Sequence, residues 1–169
     1  LSDNLDRIIS ANARYSETYH ENSDLPISPA RKLAILTCMD SRIDVFSMAG
    51  LELGDAHIVR NAGGRASEDA IRSLVISNQL VGTNEWVVIH HTDCGLEATN
   101  NEKMGKLLRE SLGTAEGDFI NWMTITDSIE SIKDDVNRLR SHPLVPGDVS
   151  ISGFLFDVKT GQLTEVIKA

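Results

Sequence analysis

The sequence predicts an α/β fold: a mainly parallel central sheet of four strands plus an antiparallel edge strand, flanked by helices, with an N-terminal helical arm. Three observations carry that expectation. Short apolar runs recur along the chain, and segments of helical spacing separate them. No internal repeat, low-complexity tract or linker interrupts the alternation, so residues 1–169 are expected to form one domain. The last two runs are joined by Lys159-Thr160-Gly161, which is too short for a crossover and predicts a hairpin.

Residues 2–20 read as an amphipathic helix, the arm, with Ser2 as N-cap and Leu5, Ile8, Ile9, Ala13 and Tyr15 on one side. Two placements are open for it: against its own sheet, or against a neighbouring subunit. Asn22 to Pro29 is rich in turn residues and reads as a loop. Leu33 to Cys38 is the first strand. Asp44 to Ala49 is a short helix stopped by Gly50. Ala56 to Arg60 is a second strand, followed by the permissive backbone of Asn61-Ala62-Gly63-Gly64. Ser67 caps a helix with Glu68 and Asp69 in its first turn, where the helix dipole favours anions, and Gly82 ends it. Glu85 to His91 is a third strand and Glu102 to Leu112 a helix. Residues 114–122 carry no assignable pattern. Asp127 or Ser128 starts a helix in which Ile129, Ile132, Val136 and Leu139 share a face. Val149 to Asp157 and Gln162 to Ile167 complete the sheet.

The net charge of −9 argues against nucleic acid and anionic membranes as partners, since both are met by clustered Lys and Arg. No apolar run approaches the ~20 residues of a membrane span. No signal-peptide pattern opens the chain, and a cytoplasmic location is expected; the start at Leu1 rather than Met leaves a preceding targeting segment open. Both cysteines lie beside His, Asp or Arg, which favours metal binding or catalysis in a reducing compartment over a disulfide.

Those cysteines mark the two chemically loaded stretches. Cys38-Met39-Asp40-Ser41-Arg42 follows the first strand, and His91-Thr92-Asp93-Cys94-Gly95 follows the third. The carboxyl edge of a parallel sheet is where sites are built. If the two strands are neighbours, Cys38, His91 and Cys94 converge, and two thiolates with one imidazole suit one zinc ion per chain. His90 is the rival ligand, but strand alternation turns it away from His91 and makes it a core or interface residue. A closed structural site with Asp40 as fourth ligand is the plain alternative. Arg42 weighs against it, because a charge-assisted pair with Asp40 holds that carboxylate off the metal.

The double motif C-M-D-S-R and H-T-D-C-G, with Arg60-Asn61-Ala62-Gly63 between, resembles the β-class carbonic anhydrases from the first strand to the end of the chain. The chain is most similar to their compact microbial and fungal members. The resemblance implies zinc-dependent hydration of carbon dioxide to bicarbonate and a proton. It makes Cys38, His91 and Cys94 the zinc ligands and Asp40 and Arg42 the catalytic pair. It also implies that Asp40 can close onto zinc in an inactive state, that Gly63 and Gly95 line the substrate pocket, and that the protein is a homodimer or a dimer-based oligomer. A regulated subgroup carries Trp three residues before the first Cys; Ile35 stands there. Carbonyl sulfide and carbon disulfide hydrolases share the motifs, so a sulfur substrate is an open alternative. A non-catalytic zinc-binding protein is a more distant one, disfavoured by Asp40 and Arg42. The sequence marks no proton shuttle: His57 and His90 are the candidates, and surface or core roles suit them better. Asn61-Ala62-Gly63-Gly64 lacks the spacing of a phosphate-binding loop.

Overall fold

The computed structural model describes residues 2–169, the side chain of Glu21 apart. Five strands form one sheet in the order β2-β1-β3-β4-β5, where β1 is Leu33–Cys38, β2 Ala56–Asn61, β3 Glu85–His91, β4 Ser150–Phe156 and β5 Leu163–Ile167. The first four are parallel, and β5 returns antiparallel to β4. This is the architecture expected from the alternating pattern, with strand ends within a residue or two of their predicted places. The helices are α1 (Asp3–Thr18), α2 (Val45–Ala49), α3 (Glu68–Val81), α4 (Asn101–Leu112) and α5 (Ser128–Arg140).

Their ends follow side-chain chemistry. Ser2, Asp44, Ser67, Asn100 and Asp127 each accept a backbone N–H at a helix start. Asp127 is thus the cap of α5, and Ser128 its first residue. Gly50, Gly82 and Gly113 end α2, α3 and α4 in the left-handed conformation.

Alternation along the strands divides the core. Ala34, Leu36, Trp86, Val88 and Ile151 face α3 and α5, meeting Ile71, Leu74, Ile132, Val136 and Leu139. Ile35, Ile89 and Phe156 belong to a second cluster with Ile43, Val45, Leu51 and Ile125, and this cluster includes both cysteines. The site therefore sits on the second face, at the carboxyl edge.

The arm does not pack on its own sheet. No residue of α1 is buried, and Ile8 is 64% exposed. The first of its two predicted placements is thereby removed. No described helix is long and apolar enough to cross a membrane.

The first face holds a buried polar group. His90 donates or accepts at Nδ1 with Ser131 Oγ (3.2 Å), and its Nε2 lies 3.2 Å from Asp135 Oδ2, misaligned for a hydrogen bond. Arg65 Nε donates to the same Asp135 oxygen at 2.7 Å. Burial alone would push the Asp135 carboxyl up. The His90 contact and the Arg65 ion pair outweigh it and hold the group below its ordinary value near 3.8. A depressed folded pKa contributes stability above the unfolded pKa and loses it as pH falls through the folded one. The stability gap between wild type and Asp135→Asn is therefore constant near neutrality and narrows below about pH 4, measured by urea unfolding at stepped pH. A gap that widens on acidification would contradict this reading.

Candidate active site

Pairing β1 to β3 in register, with Thr37 beside Ile89, brings the ends of the two strands together. Cys38 ends β1 and His91 ends β3. The chain then turns through Asp93, at φ 58°, and returns Cys94 toward the same point. One ligand atom from each of Cys38, His91 and Cys94 lies within 4.8 Å of the others, and all three residues are buried. Both cysteines are free thiols.

The donor set fits a metal ion on a direct observation. His91 is 1% exposed, and its Nδ1–H is committed to the Thr92 carbonyl at 2.9 Å. Its Nε2 is buried with no hydrogen-bond partner. A buried nitrogen without a partner is costly, and this one carries its lone pair toward two sulfurs. The sulfurs interact as a thiol–thiolate pair. The S–H of Cys94 lowers the pKa of Cys38 against the effect of burial, and His91 and the Gly63 N–H, 3.3 Å from Sγ, lower it further. Cys94 is pushed up correspondingly, chiefly by the Cys38 bond and by burial. For His91, burial works downward, but the nearness of the Cys38 sulfur prevails and the net shift is up. Two anionic sulfurs cannot coexist here without a cation, and a divalent ion would neutralise both.

Asp40 stands outside the ligand set, with Oδ2 at 3.8 Å from His91 Nε2. It is engaged by Arg42 instead. Nε donates to Oδ1 at 3.0 Å, Nη2 to Oδ2 at 2.7 Å, and the Arg42 backbone N–H to Oδ1 at 2.9 Å. These bonds hold the Asp40 carboxyl well below the usual carboxylate range. Arg42 in turn donates from Nη1 to Asp93 Oδ2 at 2.7 Å and from Nη2 to the Asp93 carbonyl at 2.9 Å.

Arg60 fixes the loop after β1. Its guanidinium donates to the carbonyls of Cys38 (2.9 Å), Asp40 (2.7 Å) and Ile43 (3.2 Å). The three carbonyls curl around one cation, which sets where Cys38 and Asp40 point. The turn Ala62–Gly64 closes the floor. At Gly64, φ is 67°, and a Cβ would lie 2.9 Å from Cys38 N and 3.0 Å from the Ile89 carbonyl oxygen, so only glycine fits between the strands. The Gly63 N–H is spent on Cys38 Sγ rather than left for a phosphate.

Above these residues lies a cleft of about 330 Å³, lined by Cys38, Met39, Asp40, Ala62, Gly63, Cys94, Gly95 and Leu96. Gly63 and Gly95, expected from the resemblance to line the substrate pocket, are among the residues lining this cleft. His57 and His90 do not line the cleft: His57 bonds Ser77 on α3 at 2.8 Å, and His90 is buried on the opposite face. The motif reading missed the roles of Arg60 and Asp93. Both act through partners distant in sequence, so no local spacing announces them.

A family model described as carbonic anhydrase matches residues 33–163. Beta-carbonic anhydrase 1 of Mycobacterium tuberculosis is 38% identical over 144 residues, covering 84% of this chain and 86% of that protein. A carbon disulfide hydrolase of Acidianus is 36% identical over 155 residues, covering 79% of this chain and 76% of that protein. The crystal structure of a carbonic anhydrase from Streptococcus mutans superposes with a TM-score of 0.92 at 46% identity, covering 98% of this chain and 99% of that one.

Proposed function

From the fact that this chain belongs to the β-carbonic anhydrase family, we propose that it hydrates carbon dioxide to bicarbonate and a proton, with one zinc ion per subunit held by Cys38, His91 and Cys94. The observation that carries the proposal is the partnerless Nε2 of His91, facing two sulfurs beside a carboxylate that arginine keeps ionised.

When bound, zinc supplies a Lewis acid that brings the pKa of a coordinated water from 15.7 toward ~7. The rest of the work falls to the chain. Asp40 is ionised throughout the neutral range, so it can only accept a hydrogen bond. Oδ2, 3.8 Å from His91 Nε2, is placed to take the O–H of the attacking water and orient its lone pair. Arg42 stays protonated at any working pH and fixes the carboxylate in that role. Met39, Ala62 and Leu96 give the cleft apolar walls, which suit a linear molecule without charge. One proton leaves to buffer with each bicarbonate formed.

The kinship with carbon disulfide hydrolases favours one second reading, a sulfur-containing heterocumulene as substrate. Zinc-loaded protein offered carbon dioxide, carbonyl sulfide and carbon disulfide in parallel decides between them by kcat/KM. The proposal expects carbon dioxide to lead. Preferential release of hydrogen sulfide would transfer the assignment to the second reading, and turnover of none would reject both.

We also propose a dimer in which α1 lies on the partner subunit. Its apolar residues, Leu5, Ile8, Ile9 and Tyr15, are exposed in the single chain. Deleting residues 1–20 is expected to shift sedimentation toward monomer or to induce aggregation. A stable, unchanged oligomer would remove α1 from the interface.

A further inference from the structure

We infer that Asp93 is a positioning residue for the Asp40–Arg42 pair, locking the guanidinium to the loop that carries His91 and Cys94. The inference rests on the site reading above but not on the identity of the substrate. Arg42 has five N–H donors. Two meet the Asp40 carboxylate, and two more meet Asp93, one at its carboxylate (2.7 Å) and one at its carbonyl (2.9 Å). A guanidinium held by Asp40 alone can turn about its own bonds and carry the carboxylate with it. Held from the other side as well, it presents one edge to Asp40 and cannot swing. Asp40 Oδ2 then stays beside the ligand atoms instead of following a mobile arginine.

The backbone is adapted to the task. Asp93 adopts φ 58°, a conformation that Asp and Asn tolerate better than other residues with a side chain. That turn aims both its carbonyl and its carboxylate at Arg42, although the residue is itself exposed, with 68% of its side chain accessible. Nothing in the core requires a carboxylate there. An exposed ion pair adds little stability, so the geometry serves orientation rather than folding.

The test uses Asp93→Gly and Asp93→Asn in the full chain. Glycine keeps the left-handed turn and the carbonyl contact while deleting the carboxylate. Asparagine keeps an oxygen acceptor. Zinc content should be unchanged in both. kcat/KM should fall roughly tenfold in Asp93→Gly, less than for loss of a reacting group, and Asp93→Asn should recover most of it. In an Arg42→Ala background, Asp93→Gly should cost nothing further, since its partner is gone. An independent readout is the Arg42 side chain in ¹⁵N NMR of the metal-free protein. Wild type should show distinct, slowly exchanging Nη signals, and Asp93→Gly should merge them. Unchanged Arg42 signals, an equal loss in the Arg42→Ala background, or loss of zinc in Asp93→Gly would each overturn the inference. If no heterocumulene is turned over at all, the proposed function fails, and the NMR comparison still decides the role of Asp93.

Discussion

Cys94→Ala, purified from zinc-supplemented culture, is expected to contain far less than one zinc per subunit by elemental analysis, and to be inactive. In the proposed site three protein ligands would hold the ion, leaving a fourth position for solvent or substrate. Taking one away leaves two ligands and a single anionic sulfur. Even loss of an outer-shell partner typically costs ~10–100-fold in metal affinity, and a direct ligand costs more. Cys94 is buried beside Cys38, and alanine fits the space, so the fold itself should persist without the metal. Cys38→Ala should behave alike. Full zinc retention in either variant would reject the ligand assignment.

Asp40→Asn should separate holding the metal from using it. The change conserves size and removes the charge. It also places an NH₂ donor where a pure acceptor stood, opposite the donors of Arg42. Zinc should stay at one per subunit, because Asp40 is not among the three clustered ligands. kcat/KM should fall by ~10²-fold or more, the usual scale for a positioned acid–base or orienting group. If zinc were lost together with activity, Asp40 would be a resident ligand and the site a closed one.

The parts of this molecule that could be read from its sequence are those whose cause is local. The apolar runs of β1 and β3, the caps at Ser67 and Asp127, and the stop at Gly82 are set within a few residues, and the structure has them where the pattern puts them. The convergence of Cys38, His91 and Cys94 was legible because each lies at or just past the end of a strand and a parallel sheet collects strand ends on one edge. The 3₁₀ turn Glu116–Phe119 was not legible. It is held by contacts rather than by periodicity: Arg109 pairs with Asp118, and Trp122 Nε1 donates to the Gly117 carbonyl at 3.0 Å. The same holds for Arg60. It stands in a strand, where alternation tells which face it takes, but nothing nearby says that three carbonyls of another loop will gather around it. Arg65 is similar, since its carboxylate partner Asp135 lies 70 residues away.

The register of β1 against β3 also orders events in time. Thr37 Oγ1 donates to the Ile89 carbonyl across 52 residues of chain, immediately beneath the ligand atoms. Those atoms cannot meet until the whole β2–α3 crossover has closed, and parallel pairings of that span form slowly because their loop entropy is spent first. A chain emerging from the ribosome therefore presents Cys38 as a solitary thiol until β3 has followed and docked. In the zinc form proposed above, an ion would find its three ligand atoms already gathered by the sheet, so its binding would complete the fold rather than nucleate it.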